Sequence, residues 1–422
     1  MFKSIALQVF KNSKIKNSTI YGIGQIVNLI SPLVVMPYLV TICEKEGLGK
    51  IGVGFSFALI CNVLVDYGSY INGTKAIAIS NHDTEIIRHK IVSVYVMKFI
   101  LLSIVLLFSF FLIWFVPFFK QEQTVFFLSL LYVLGQVINP TWVFQGLENY
   151  KWISCINIIS KLIYVVGVFS FINKKEDYVY ANAYLGVGLI VSSIIGLLYL
   201  IKKYHLQFYF SVCKDALELL KQEFSLTISQ LFLSFYQYLP IMIISYLGGN
   251  AMAGQYRIID QIVMIFRTYL QMFFNFIYAD VCLQIHKNLK QGITHWLRYY
   301  GLNYAVVVFS VIVAFVCTKP ILLFFNIRSN ELDAMNLFFK IGLMIPLFMA
   351  VSIALKQLLF ALDKNKEYIN ITIGSSIFSM LVFFIFIKNV GLQGAFLATI
   401  FIEIGVIVLY CTVLKPLIRL KK

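Results

Sequence analysis

"AMAGQYRIIDQIVMIFRTYLQMFFNFIYAD", residues 251–280, decides how the rest of the chain is read. At 100° per residue, Arg257, Asp260, Met264, Arg267, Gln271 and Asn275 fall within an arc of about 80°. Ile, Val and Phe fill most of the remaining surface. A long apolar helix with one polar stripe is an amphipathic helix within a membrane, and its polar face cannot look at lipid. It must face protein or water.

The surroundings agree with a membrane. The chain has 422 residues, of which 60% are hydrophobic and 13% charged; its mean hydropathy is +0.84. A helical span needs ~20 largely apolar residues. Apolar windows place twelve of them at roughly 19–42, 51–72, 91–117, 124–146, 153–172, 179–201, 224–247, 251–281, 300–318, 337–361, 368–388 and 391–414. The expected fold is therefore an all-α integral membrane protein with twelve transmembrane helices. The first sixteen residues hold Lys3, Lys11, Lys14 and Lys16 but no cleavable-signal pattern, so the first span is expected to stay as an anchor.

The net charge of +16 has a topological reading. With the N terminus inside, 22 Lys and Arg fall on the cytoplasmic side, nine on the other, and Lys98, Lys161, Arg267 and Lys340 within spans. That bias follows the positive-inside rule and places both termini in the cytosol. It argues against a nucleic-acid face. Lys98 and Lys340, near span ends, are read as snorkelling.

Six spans, a linker and six more make two lobes, 1–201 and 224–422, joined by "KKYHLQFYFSVCKDALELLKQE" (202–223), which reads either as an amphipathic cytosolic linker or as a solvated loop with one helical stretch. A shift of 205 residues lays Gln25 on Gln230 and Gly49 on Gly254. With an even number of spans per lobe, both lobes would share one orientation, the parallel-repeat arrangement with a pathway between them.

Other spans carry weaker stripes: Tyr21, Gln25 and Asn28; Asn62, Asp66 and Ser69; Asn157, Lys161 and Tyr164; Gln230, Ser234 and Gln237. The third, sixth and eleventh spans are nearly all apolar and are expected to meet lipid. Polar helices would then line a wet lumen, with Asp66, Lys161, Arg257, Asp260, Arg267, Gln271, Gln25, Asn28 and Asn157 as its candidate wall. Two readings stand for the amides, which also serve as interhelical glue, and for Asp260, which also serves as a structural partner for Arg257 or Arg267. Glu403, mid-span in the last helix, is open in the same way.

No catalytic constellation is visible. The seven cysteines are scattered without a CxxC pair, the five histidines (82, 89, 205, 286 and 295) sit at expected cytoplasmic edges, and no P-loop occurs. No enzyme, metal or cofactor is expected.

"ISPLVVMPYLV" (30–40), "EGLGKIG" (46–52), "LVDYGSYINGTKAIA" (64–78), "NPTWVFQGLENYK" (139–151) and "AGQYRIIDQI" (253–262) resemble the Wzx-type polysaccharide flippases. These belong to the multidrug/oligosaccharidyl-lipid/polysaccharide (MOP) exporter superfamily. One departure is "TICEKEGLG", where the family more often has an arginine and a Leu-Gly-Pro run. The resemblance implies a MOP/MATE-like pair of lobes in the bacterial inner membrane. It implies that an undecaprenyl-diphosphate-linked oligosaccharide is moved from the cytoplasmic to the periplasmic leaflet for O-antigen, capsule or a related polymer. Alternating access would be coupled to a cation gradient, with membrane lipids and the pathway's polymerase and chain-length machinery as partners. A drug/cation antiporter of the same superfamily would favour an acidic cavity, whereas this stripe is basic. A membrane polymerase or glycosyltransferase would carry a long periplasmic loop, and every outward connection here is short.

Overall fold

The computed structural model describes residues 13–80, 83–207 and 212–419. Lys3, Lys11, His82, Lys421 and Lys422, used above for topology, lie outside the described residues. Helices dominate: α1 (Ser13–Asp66), α2 (Thr74–Ile79), α3 (Thr84–Phe115), α4 (Pro117–Lys120), α5 (Gln123–Ile138), α6 (Thr141–Gly146), α7 (Tyr150–Phe171) and α8 (Ala181–Tyr204). They continue with α9 (Val212–Lys287), α10 (Leu289–Val316), α11 (Thr318–Phe324), α12 (Leu332–Gly342), α13 (Ile345–Ala361), α14 (Asn365–Val390) and α15 (Leu392–Arg419). Among the described residues there is no strand, and ten helical segments are long and apolar enough to cross a membrane.

Two of the ten are far longer than one crossing needs. The apolar part of α1 runs over 43 residues and α9 over 76, about 65 and 114 Å at 1.5 Å per residue against a hydrocarbon core of about 30 Å. Each holds one residue with non-helical backbone angles, Glu44 (φ 56°, ψ −177°) in α1 and Gly249 (φ 81°, ψ 168°) in α9. Subtracting 44 from 249 gives 205, the same offset that aligned Gln25 with Gln230. Apart from the turn and short helix at Ser69–Ile79, which have no counterpart before α10, the element order after each kink also repeats: a long helix (α3, α10), a short one (α4, α11), a divided one (α5–α6, α12–α13), and two long ones (α7–α8, α14–α15).

The chain forms two compact units, Met1–Ser234 and Phe235–Lys422. The division falls inside α9, beyond the expected linker, and residues 212–223 of that linker are helical.

In the first unit α8 packs against α5 and α7, and α1 against α7 and α5. Glycines permit the approach: a Cβ on Gly186 would lie 2.6 Å from the Leu131 carbonyl carbon and the Tyr132 nitrogen. Connections alternate between the two ends of this unit. At one end Lys50 pairs with Glu46 (3.2 Å) and Glu122 (2.7 Å), Lys175 pairs with Glu44 (2.8 Å), and the Tyr178 hydroxyl donates to Glu122 (2.7 Å). At the other, Ile77, Ile87, Trp142, Phe144, Ile153, Leu200 and Tyr204 form an apolar core.

In the second unit α15 packs on α14 and α13, and α13 on α10. Ile277, Val281, Trp296, Leu358 and Tyr410 close its core. The helices expected to meet lipid have bare apolar faces. Phe99, Leu107, Phe108, Phe111 and Phe115 of α3, Val187, Val191, Ile194 and Leu198 of α8, and Ile377, Phe378, Leu381 and Ile385 of α14 are all exposed. Continuous bare apolar surface of that kind needs a nonaqueous neighbour.

Candidate functional site

Four candidate residues of the first unit lie at one level because α1 and α7 run parallel and in register. The Ser154 hydroxyl donates to the Ile20 carbonyl (2.7 Å), and the Tyr38 hydroxyl to the Ile172 carbonyl (2.9 Å). Both contacts span 134 residues, and an antiparallel pair would not keep that difference constant. Gly24 lets the helices close, since a Cβ there would meet the Ser154 Oγ at 2.9 Å. By this register Gln25 and Asn28 stand level with residues 159 and 162, beside Asn157 and Lys161. All four side chains are half-buried. Lys161 lies in mid-helix, its Nζ 5.9 Å from the Tyr164 ring centroid, and makes no ion pair with a described residue.

Asp66 has a different setting. It is the last residue of α1, and its Oδ1 lies 2.9 Å from the Lys98 Nζ. Oδ2 accepts weakly from the Tyr70 backbone N–H (3.3 Å). The Lys98 side chain is 3% exposed and that of Asp66 31%. The snorkelling expected of Lys98 is thereby corrected. α3 begins at Thr84, seven residues before the expected span, so Lys98 lies about 21 Å along a helix of about 48 Å and its stem reaches neither end. A buried ammonium at that depth needs a counter-charge, which Asp66 supplies.

In the second unit the α9 stripe is linked along its length. Arg257 Nη1 lies 3.4 Å from Asp260 Oδ2, Arg267 Nη1 contacts Met264 Sδ at 2.9 Å, and Gln271 Nε2 donates to Asn275 Oδ1 at 3.2 Å. These are the i,i+3 and i,i+4 partners that a helical stripe provides. Asp260 thus lies within ion-pair reach of Arg257. Around Arg267 stand Asp260, Tyr236, Tyr238 and Tyr256. The Tyr236 hydroxyl donates to Glu403 Oε1 (2.7 Å), and Tyr256 stacks on Phe396 with centroids 5.3 Å apart. Glu403 is only 7% exposed.

Three charged groups stand outside the candidate wall drawn from the sequence. Lys98 needed a contact 32 residues away. Glu403 was visible as a lone mid-span carboxylate, but its partner Tyr236 lies 167 positions earlier. Lys356, counted with the cytoplasmic charges, lies within α13, with Nζ 5.1 Å from the Phe274 ring centroid.

Chemically, both units offer cations, amides and phenols that donate or accept hydrogen bonds. Among the described residues no group of three or more His, Cys, Asp or Glu is placed to hold a metal ion.

The family model described as "Polysaccharide biosynthesis protein" matches residues 15–282, more than half of the chain. The chain belongs to the polysaccharide biosynthesis protein family. The chain is 24% identical over 395 residues to a candidate O-antigen transporter of Shigella dysenteriae, covering 92% of this chain and 96% of that one. It is 28% identical over 173 residues to another from Escherichia coli K12, covering 40% and 42%. Among solved structures it resembles the lipid II flippase MurJ in an inward closed conformation, with TM-score 0.73, 15% identity and coverage of 94% and 87%. It also resembles an inward-facing MATE-family multidrug resistance transporter, with TM-score 0.68, 13% identity and 92% of each chain covered. At such identities the likeness speaks to fold alone, and the fold is the one these two transporters share. With ten apolar helices and transporter relatives, the chain is a multi-pass membrane protein.

Proposed function

We propose that this protein is a flippase for undecaprenyl-diphosphate-linked oligosaccharide repeat units. It moves them from the cytoplasmic to the periplasmic leaflet of a bacterial inner membrane, in the synthesis of O antigen, capsule or a related polymer. Counting α1 and α9 as two crossings each turns ten helices into twelve, with both termini cytoplasmic.

The observation that carries this reading is the placement of cations without a salt-bridge partner in apolar helices of both units. Lys161 and Arg267 make no close ion pair with a described residue, each is accompanied by tyrosine, and Asp260, which stands near Arg267, is bridged to Arg257. A charge in a span is held there at a cost of at least ~2.5 kcal/mol on insertion scales. Its persistence calls for an anionic visitor, and a diphosphate suits the planar, multi-donor guanidinium. Sugar hydroxyls lose ~1–3 kcal/mol each if buried without a partner. Gln25, Asn28, Asn157, Gln271, Tyr236 and Tyr256 would replace those bonds during transit. The names of the two O-antigen relatives and of the lipid II flippase point the same way. Alternating access biased by a cation would drive the cycle, with Asp260 and Glu403 as candidate ion-exchanging carboxylates.

The test is genetic and biochemical. Deleting the gene should leave a lipid-linked oligosaccharide accumulating on the cytosolic side. Arg267→Ala and Lys161→Ala should each abolish surface polysaccharide with normal amounts of protein in the membrane. Normal polymer in both variants would overturn the cationic assignment.

A further inference from the structure

Where α1 ends, the chain turns through Tyr67 (φ 46°) and Gly68 (φ 74°) into one π-helical turn, Ser69–Gly73, before α2. Two bonds tie this break to the start of α9: the Tyr67 hydroxyl donates to the Leu220 carbonyl (3.0 Å), and Asn72 Nδ2 to Glu223 Oε2. Gly68 makes room for that carboxylate, for a Cβ there would sit 2.9 Å from Glu223 Oε2.

The break leaves a cleft of about 330 Å³ inside the first unit. Ala76, Ile79, Val94, Met97, Trp142 and Leu219 supply its apolar wall, and Lys75, Lys90 and Glu223 its charges. None of the three charges pairs with another described residue: both ammonium groups lack a carboxylate, and Glu223 is bonded only through Oε2 to neutral Asn72. Glu223 is 8% exposed. Two cations and one anion that share a small cleft without neutralising each other suit a ligand carrying both signs.

We propose that this cleft holds the phosphoethanolamine headgroup of a membrane lipid. Lys75 and Lys90 take the phosphate, and the free Glu223 Oε1 accepts from the primary ammonium. A purely anionic headgroup would leave Glu223 unanswered and repelled. A quaternary ammonium has no N–H to donate to it. The lipid, rather than the free phosphoamine, is favoured by the apolar wall and by Tyr70, Ile71 and Ile79, which are exposed beside it. This inference is independent of what the protein transports, because its test reads lipid retention.

The full-length protein, purified in detergent, is offered equimolar phosphatidylethanolamine, phosphatidylglycerol and phosphatidylcholine, and retained lipid is weighed by native mass spectrometry. One charge-assisted hydrogen bond predicts about a tenfold preference for phosphatidylethanolamine over the other two. Glu223→Gln should erase the preference over phosphatidylglycerol while preserving the Asn72 contact. Lys75→Gln, at an exposed position that folding tolerates, should lower retention of both phosphatidylethanolamine and phosphatidylglycerol, and Lys75→Arg should restore it. Equal retention of the three lipids by the unaltered protein, or an unchanged preference in Glu223→Gln, would overturn the proposal. Displacement of the lipid by soluble O-phosphoethanolamine would assign the cleft to the free molecule and overturn the lipid as its source.

Discussion

Asp66 and Lys98 are partners with unequal stakes, and that inequality can be measured. The Lys98 side chain is 3% exposed and that of Asp66 31%, with 2.9 Å between Nζ and Oδ1. Asp66→Ala strands an ammonium with almost no access to solvent. Removing one member of a buried pair costs about 3–5 kcal/mol, and the partial exposure of Asp66 places this case near the lower end, about 3 kcal/mol. Lys98→Met strands a carboxylate that already sees solvent and fills the same volume with an apolar stem, so it should cost about 1 kcal/mol. The double variant, with neither charge, should recover much of the loss in Asp66→Ala, as apolar replacement of a whole buried pair is often neutral. Thermal unfolding of detergent-purified protein, followed by loss of the monodisperse chromatographic peak, ranks the variants. The expected order of stability is unaltered protein, Lys98→Met, double variant close behind, and Asp66→Ala last. If Asp66→Ala melts at the unaltered temperature, or Lys98→Met is the less stable single variant, the pair does not hold this part of the fold.

Three further outcomes are expected. Tyr236→Phe removes the donor at 2.7 Å from the buried Glu403 carboxylate and should cost about 1.5–3 kcal/mol, read by the same unfolding assay. Gly186→Ala would push a methyl to 2.6 Å from the α5 backbone and should cost about 1–3 kcal/mol, whereas Gly301→Ala, with nothing within 4 Å, should raise stability by up to about 1 kcal/mol. Arg267→Lys keeps the charge but loses the fork, so surface polysaccharide should fall to a level between Arg267→Ala and the unaltered protein.

Hydropathy made the helical architecture legible, because a span has to be apolar over most of its length whatever it packs against. The α9 stripe was legible for a related reason: its contacts are three or four residues apart, within reach of a periodicity argument. Asp66 with Lys98 and Tyr236 with Glu403 were not legible, since which distant helices meet is decided by packing and leaves no local trace. The break at Tyr67–Gly73 lay inside an expected continuous span. Its signal, the glycines of "YGSYING", was present but outweighed by the apolar residues before it. The 205-residue offset rested on two matched pairs in the sequence and gains a third in the kinks at Glu44 and Gly249.

Those two kinks do the same job by different chemistry. Gly249 adopts its positive φ without a side chain to object, and open space surrounds it. Glu44 adopts a comparable bend against its own Cβ and is fastened by the exposed bridge to Lys175 at 2.8 Å, with both side chains about half exposed. Mobile ions weaken an exposed bridge of this kind and leave backbone torsions untouched. One bend is thus tied to a contact that dissolved ions can loosen, whereas the other rests on a residue with no side chain to tie.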